Sequence, residues 1–164
     1  MRNPPVIFMS HQIQVSIRTA VSADIDVLTD FNCRLAAETE DNPLDSNTVR
    51  SGVTRGLSVG DEVRYFVAET GEKIVGQLML TREWSDWRDG WIVWLQSVYV
   101  LADYRGQGVF RQLLDHVKSR LQPDADVTCL RLYVEADNDA AKSTYTRLGF
   151  KDTGYDVMEI GPSQ

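Results

Sequence analysis

The sequence predicts an α/β (α+β) fold, because segments with strand periodicity and segments with helix periodicity are interleaved along the chain. Residues 91–100 are almost entirely apolar, which is typical of a central strand. A glycine-containing turn at residues 105–108 follows, and after it apolar residues recur at helical spacing up to Leu121. The predicted order is one strand, two helices, three strands, a helix, a strand, a helix and further strand.

The first third of the chain is predicted to form a strand and two helices. Residues 14–18 alternate between polar and apolar side chains, as a strand does. Ser22 is a suitable N-cap for a helix that ends before Pro43. Its apolar face would carry Ile25, Leu28, Phe31 and Leu35. Asp45 or Ser46 would cap the second helix, which is weakened by two internal glycines.

The rest of the chain predicts five further strands and two helices. Residues 64–69 and 73–82 form a hairpin around a tight turn, and a polar segment at 85–90 leads into the central strand. The helix after Arg105 ends near Pro123. A strand at 128–135, a helix from Asp137 or Asn138 to Gly149, and a strand at 155–160 complete the pattern.

Composition excludes several classes of function. The chain has 164 residues and a net charge of −7, so we expect one domain that does not take nucleic acid as its main partner. Cys33 and Cys129 are too far apart for a paired metal or redox motif and are expected to be packing residues. His11 and His116 are isolated, so no metal site is predicted.

The N-terminus carries no predicted signal peptide or membrane span. Its apolar patch at residues 6–9 is short and follows two prolines. We therefore expect residues 1–12 to be a flexible extension, residues 13–164 to form a single domain, and the protein to be cytoplasmic without a membrane partner.

The turn at Arg105, Gly106, Gln107 and Gly108 indicates a phosphate-bearing ligand. A glycine-rich turn that opens a helix presents unpaired backbone N–H groups at the positive end of the helix dipole. The dinucleotide fingerprint fails, because Arg111 stands where its third glycine is required, and the Gly-Lys-Ser/Thr sequence of NTPases is absent. This motif alone is also compatible with a tight strand-to-helix turn that binds no ligand.

A second motif defines the ligand by resemblance. Asn138, Ala141 and Tyr145 share one face of a predicted helix that ends in Leu-Gly-Phe at residues 148–150. Together with the turn, this helix closely resembles the GNAT superfamily of acyl-CoA N-acyltransferases, over residues 13–160. The stretch 94–111 looks especially like the diamine-acetyltransferase branch and its bacterial relatives.

The resemblance implies a mixed, twisted sheet of six to seven strands that splays open beside the central strand, with about four flanking helices. Acetyl-CoA would lie in that gap and leave as coenzyme A. By the resemblance, the cofactor-binding residues would be Val98, Tyr99, Val100, Arg105, Gly106, Gln107, Gly108, Val109, Phe110, Arg111, Asn138, Ala141 and Tyr145. Phe110 departs from the family, which commonly has Gly or Ala there.

The resemblance also implies direct attack of an amine on the thioester. An alkyl ammonium has a pKa near 10.4, so a proton must leave before attack. The Val98 N–H would stabilise the oxyanion and Tyr145 would protonate the departing thiolate. Gln96 stands where some relatives have a glutamate; it cannot act as a base, although it can orient a water or the acceptor.

The acceptor is expected to be a small amine. By the resemblance, the acidic run from Glu38 after the first helix borders the acceptor site. Trp84, Trp94 and Gln96 lie around the central strand, so these three and Glu38 are candidate acceptor-binding residues. The tryptophan-rich region also predicts a homodimer. The alternatives are a protein N-acetyltransferase, a catalytically idle acyl-CoA-binding or sensing module, and an interaction domain without a ligand.

Overall fold

The computed structural model describes residues 12–162, which form five strands, four α-helices and two 3₁₀ turns. The strands are β1 (Ser16–Thr19), β2 (Val63–Thr70), β3 (Lys73–Ser85), β4 (Gly90–Val100) and β5 (Val127–Leu132). The helices are α1 (Ile25–Glu40), α2 (Ser46–Ser58), α3 (Val109–Leu121) and α4 (Asp139–Arg147). The 3₁₀ turns, Ser22–Asp24 and Ala102–Tyr104, precede α1 and follow β4.

The strands form one mixed sheet in sequence order, β1 to β5. β1 to β4 are antiparallel neighbours, and β5 lies parallel to β4 after the crossover through α3. The predicted fold class is therefore confirmed. The hairpin between β2 and β3 turns at Gly71, whose φ of 60° is a left-handed value that glycine adopts without strain. The tight turn predicted at 70–72 is therefore present.

Helices cover both faces of the sheet. The adjacent residues Gly76 and Gln77 show this, because side chains alternate along a strand. A Cβ added to Gly76 would meet Val109 of α3 at 3.1 Å, whereas the Gln77 side chain donates to Asn32 of α1 at 2.8 Å. The face toward α1 and α2 carries a core cluster of Ala20, Leu28, Val53, Tyr65 and Val67.

The entry to α1 corrects the predicted N-cap. Ser22 lies in the 3₁₀ turn, and α1 begins at Ile25. Asp24 organises this corner, because its carboxylate accepts from the Val21 N–H at 2.7 Å and forms a two-pronged ion pair with Arg18. Only a carboxylate makes both contacts at once, which a serine hydroxyl cannot do. The predicted cap of α2 is confirmed, since Asp45 accepts from the Thr48 N–H.

The sheet has five strands within residues 12–162, fewer than the six to seven predicted, and the strand predicted at 155–160 is absent. β5 also ends at Leu132 rather than at Glu135. Residues 155–160 make no ladder, and Tyr155, Val157, Met158 and Ile160 are exposed. Alternating apolar residues form a strand only where another strand supplies hydrogen bonds. The local alternation does not show whether such a partner strand lies alongside.

The chain divides into two compact units, one ending at Tyr133 and one starting at Val134. The sheet and α1 to α3 belong to the first unit, and α4 belongs to the second. None of the helices in residues 12–162 is both long and apolar enough to span a membrane.

Candidate active site

A bulge in β4 marks the centre of the candidate site. Met79 of β3 pairs with Gln96, and Gln77 pairs with Tyr99, so Ser97 and Val98 together oppose a single β3 residue. Ser97 has a φ of 49°, a left-handed conformation that non-glycine residues seldom adopt. Its carbonyl accepts from Gln77 Nε2 at 3.2 Å. The bulge therefore changes the direction of the backbone just before Val98.

Beyond the bulge, one edge of β4 has no strand neighbour in the part of the sheet that the structure describes. β5 pairs with β4 only from Trp91 to Leu95. From Gln96 to Val100 the strand pairs with β3 alone. The splayed sheet expected beside the central strand is thus present, and its open edge offers backbone hydrogen-bonding groups to an extended ligand.

The glycine turn follows this open edge after the short 3₁₀ turn Ala102–Tyr104. Gly106 and Gly108 both have positive φ, 71° and 82°, and Gly108 is the N-cap of α3. Because a glycine N-cap has no side chain, the first-turn N–H groups of α3 receive no capping bond from it. A Cβ on Gly106 would meet nothing within 4 Å, so the surface there is clear. These are the properties of an anion-binding helix start.

Arg105 and Glu38 link this turn to α1. Arg105 donates through Nε to the Val100 carbonyl at 2.8 Å, and its guanidinium pairs with Glu38 and lies over the Tyr99 ring. Tyr99 donates its hydroxyl to Glu38 at 2.7 Å and contacts Phe31. The bond from Arg105, assisted by the one from Tyr99, lowers the pKa of Glu38, while burial raises the pKa of Tyr99.

Two of the predicted acceptor residues lie on the face of β4 that α1 and α2 cover. Gln96 donates to Thr81 at 2.6 Å, and Trp94 donates its indole N–H to Glu83 at 2.6 Å. The Trp94 ring stacks on Tyr133 with 4.3 Å between centroids. This side of the sheet thus has an aromatic surface bordered by one carboxylate.

Trp84 is not part of that surface. It pairs with Trp91 across β3 and β4 and contacts the Trp91 ring edge-on at 5.1 Å. Trp91 and Trp94 are three residues apart on a regular strand, so they point to opposite faces. Glu38 is also separate from the tryptophans, because its contacts are with Tyr99 and Arg105.

The second unit contains the other predicted residues on helix α4. Asn138 is the N-cap, and its side chain accepts from the Ala141 N–H at 3.0 Å. Tyr145 is partly buried and contacts Phe150 edge-on at 5.9 Å between centroids. Burial raises the pKa of Tyr145, which keeps its hydroxyl protonated at neutral pH.

Comparison with known proteins identifies the family. The model of the acetyltransferase (GNAT) family matches residues 29–150, which is most of the chain. The chain belongs to the GNAT family. The family and the acetyltransferase class predicted from the two motifs are confirmed.

Individual relatives agree with this assignment. A possible acetyltransferase of known structure from Clostridium difficile 630 is 38% identical, with a TM-score of 0.83 over 91% of this chain and 98% of that one. A predicted acetyltransferase from Clostridium acetobutylicum, solved with acetyl-CoA, shares the fold at 17% identity, with a TM-score of 0.75 over 90% of this chain and 96% of that one.

A curated relative matches only locally. The mycothiol acetyltransferase of Mycolicibacterium gilvum is 47% identical over 70 residues, which cover 38% of this chain and 23% of that protein. The chain therefore matches about a quarter of the length of that enzyme.

Sequence reasoning missed several residues that shape the site. Gln77 and Asn32 hold the bulge from the α1 side, and Tyr133 completes the aromatic stack. One signal was present for Gln77, because it is the single long polar side chain between Ile74 and Leu80 in a segment otherwise fit for a core strand. Asn32 and Tyr133 carried no comparable signal, since polar helix residues and strand-end tyrosines are common.

Proposed function

We propose that the chain is an acetyl-CoA-dependent N-acetyltransferase that acts on a small amine. The observation that carries this proposal is the open edge of β4 from Gln96 to Val100, which one 3₁₀ turn joins to the glycine turn. An extended pantetheine arm has the shape and the amide groups to add to such an edge, and a pyrophosphate suits the helix start that follows. Acetyltransferases of this family use acetyl-CoA.

The proposed cofactor contacts fall into two groups. Val98 and Val100 would pair with the pantetheine arm through their backbones, and Tyr99, which pairs with Gln77 of β3, would lie between them. Residues 105–111 would hold the pyrophosphate, mainly through N–H groups at the start of α3. Asn138 and Ala141 are proposed to contact the pantetheine side on the ground of the family resemblance.

The proposed reaction is a direct acyl transfer. A neutral amine nitrogen forms a bond to the acetyl carbonyl carbon, the C–S bond breaks, and the amine loses a proton. The Val98 N–H stabilises the developing oxyanion, because the bulge at Ser97 sets the direction of that group. Tyr145 gives a proton to the leaving thiolate, and Gln96 orients the acceptor or a water that removes the amine proton.

A pair of variants at Gly108 tests the cofactor site. Gly108→Asp and Gly108→Asn have nearly the same shape and impose the same backbone strain at a φ of 82°, but only Asp adds a negative charge. Two negative charges about 4 Å apart repel each other by about 1–4 kcal/mol near a protein surface, so we expect CoA to bind roughly 10-fold or more weakly to the Asp variant than to the Asn variant. Calorimetry at low and high salt measures this difference.

The result that contradicts the proposal is equal CoA binding by two folded variants. The Asn variant controls for the side chain of Gln12, which a Cβ at Gly108 would contact at 3.0 Å. Circular dichroism confirms folding of both.

We further propose that the enzyme works in the cytoplasm and as a homodimer. An acidic chain without a helix able to cross a membrane within residues 12–162 is compatible with that location. The exposed tryptophans of the β3–β4 hairpin, Trp84 and Trp87, are the apolar surface that a second copy would cover.

A further inference from the structure

A cleft of about 550 Å³ lies between α1, α2 and the sheet. It is large enough for a small ligand. Its walls include Leu35, Val49, Val53 and Met79, and none of the residues that line it carries a formal charge. Gly52 of α2 lies at its exposed rim, where an added Cβ would meet nothing within 4 Å.

The polar end of the cleft is the β4 bulge. Ser97 and Asn32 both line the cleft, and both accept hydrogen bonds from the fully buried Gln77 amide. The Ser97 carbonyl and the Asn32 Oδ1 each keep a second lone pair for a donor from a ligand. Gln77 Oε1 is buried and has no hydrogen-bond partner within the described residues, so a donor or a water near it is favoured.

At the rim nearest β3, the cleft adjoins β4, the strand that carries Gln96 and Val98. Thr81 lines the cleft and accepts from Gln96. Val98, whose N–H we assign to the oxyanion, directly follows Ser97. A molecule whose body fills the cleft therefore places its polar end beside the reacting carbonyl.

We propose that this cleft binds the body of the acceptor, and that the acceptor is a monoamine with an apolar chain rather than a diamine or polyamine. This inference rests on the proposed N-acetyltransferase function. A second ammonium group would have to be buried among uncharged side chains, because the lining has no carboxylate to pair with it. Among the lining residues, Ser97 alone falls within the stretch 94–111 that resembles the diamine-acetyltransferase branch.

Two isosteric probes separate the substrate classes. Hexylamine and cadaverine have the same number of heavy atoms, and in cadaverine an ammonium group replaces the terminal methyl group. We expect kcat/KM, measured by CoA release, to favour hexylamine by on the order of 100-fold, since a buried unpaired ammonium is strongly penalised. Equal turnover or a preference for cadaverine overturns the inference and leaves the acetyltransferase function intact.

A pair of variants locates the binding site. Gly52→Phe fills the cleft, and Gly52→Ala adds only a methyl group that has room around it. Relative to Gly52→Ala, we expect Gly52→Phe to lower kcat/KM for hexylamine by roughly 10-fold or more and to leave ethylamine, which is too short to reach α2, unchanged. Equal effects on both amines, or none on hexylamine, overturn the placement.

Binding measured without turnover separates this inference from the proposed function. Calorimetry with CoA-saturated protein and hexylamine should show binding that Gly52→Phe removes. If hexylamine binds in this way but no amine releases CoA from acetyl-CoA, the cleft inference holds and the proposed reaction fails. If wild-type protein does not bind hexylamine, the cleft inference fails.

Discussion

At the scale of single residues, Glu38 illustrates how partners determine a role. Its carboxylate accepts from Tyr99 and pairs with Arg105, so α1 is connected to the residue that opens the glycine turn. The Arg105 bond lowers the pKa of Glu38, so the charge persists at neutral pH. We therefore propose that Glu38 positions Arg105 and competes for it with an incoming phosphate, rather than contacting the acceptor.

The variant Glu38→Gln tests this role. It keeps an acceptor for the Tyr99 hydroxyl and removes the negative charge near the turn. We expect the KM for acetyl-CoA to fall by up to about 5-fold at low salt, the size of a partly exposed ion pair, with the acceptor KM unchanged. Asp41→Asn, which removes a neighbouring exposed charge without known partners at the turn, is the control. A rise in the acceptor KM alone would assign Glu38 to the acceptor instead.

Tyr145 is the residue whose chemistry is most easily isolated. Tyr145→Phe removes a hydroxyl with little change in packing against Phe150. If Tyr145 donates the proton to the thiolate, kcat falls by roughly 10²–10⁴-fold, while acetyl-CoA affinity barely changes. A thiol with a pKa of about 8.5 is a tolerable leaving group, so we expect the lower end. Unaltered turnover would show that water or the acceptor supplies the proton.

At the scale of elements, β4 depends on one unusual backbone conformation. Ser97 has a φ of 49° at the bulge that orients Val98. Ser97→Val places a β-branched side chain in a conformation that costs on the order of 1–3 kcal/mol. We expect urea unfolding to show that loss, together with a lower kcat/KM.

The matched control is Ser97→Gly, which adopts positive φ without strain. It also removes the hydroxyl, so any effect of that group appears in both variants. The bulge would not determine activity if the Val and Gly variants were equally active.

The half-buried histidine of α3, His116, leads us to expect that the stability of the protein depends on pH. His116 packs edge-on against Phe66, and its Nε2 is buried without a hydrogen bond in the described residues. Burial, and secondarily the charge of Arg120, lowers the pKa of His116. The unfolded chain therefore takes up this proton first as the pH falls through about 6.5, and the free energy of unfolding decreases below that pH.

Urea unfolding between about pH 8 and about pH 5 measures this effect. His116→Gln is polar but does not titrate, so its stability should change less over that range. The same pH dependence in both proteins would locate the effect elsewhere.

At the scale of the whole molecule, the hairpin between β3 and β4 predicts assembly. Trp87 is 89% exposed and Trp84 is 50% exposed. We expect light scattering to give a dimer mass for the wild type, because exposed aromatic surface favours association. Trp87→Ser should shift the mass toward the monomer without a loss of thermal stability. A wild-type monomer at the working concentration would contradict this expectation.

Much of the fold could be predicted because local patterns agree with the final packing. The spacing of Leu28 and Phe31 predicted α1, and the apolar run before the glycine turn predicted β4. The strand predicted at 155–160 was wrong, because its alternation resembles a paired strand whether or not a partner is present. For the candidate site, spacing placed Asn138 and Tyr145 on one helix face, and the family resemblance assigned that face and the glycine turn to the cofactor.

The amino-acid pattern alone was enough to predict the family, the order of helices and strands up to α4, and the residue types at the glycine turn, since each depends on neighbours within a few positions. Which residues meet across long separations in the chain became visible in the folded molecule. It paired Glu38 with Arg105, placed Trp84 and Trp94 on opposite faces, and formed an uncharged cleft that ends at Ser97. These features depend on strand register and helix docking, and a one-residue change of register would reverse every face.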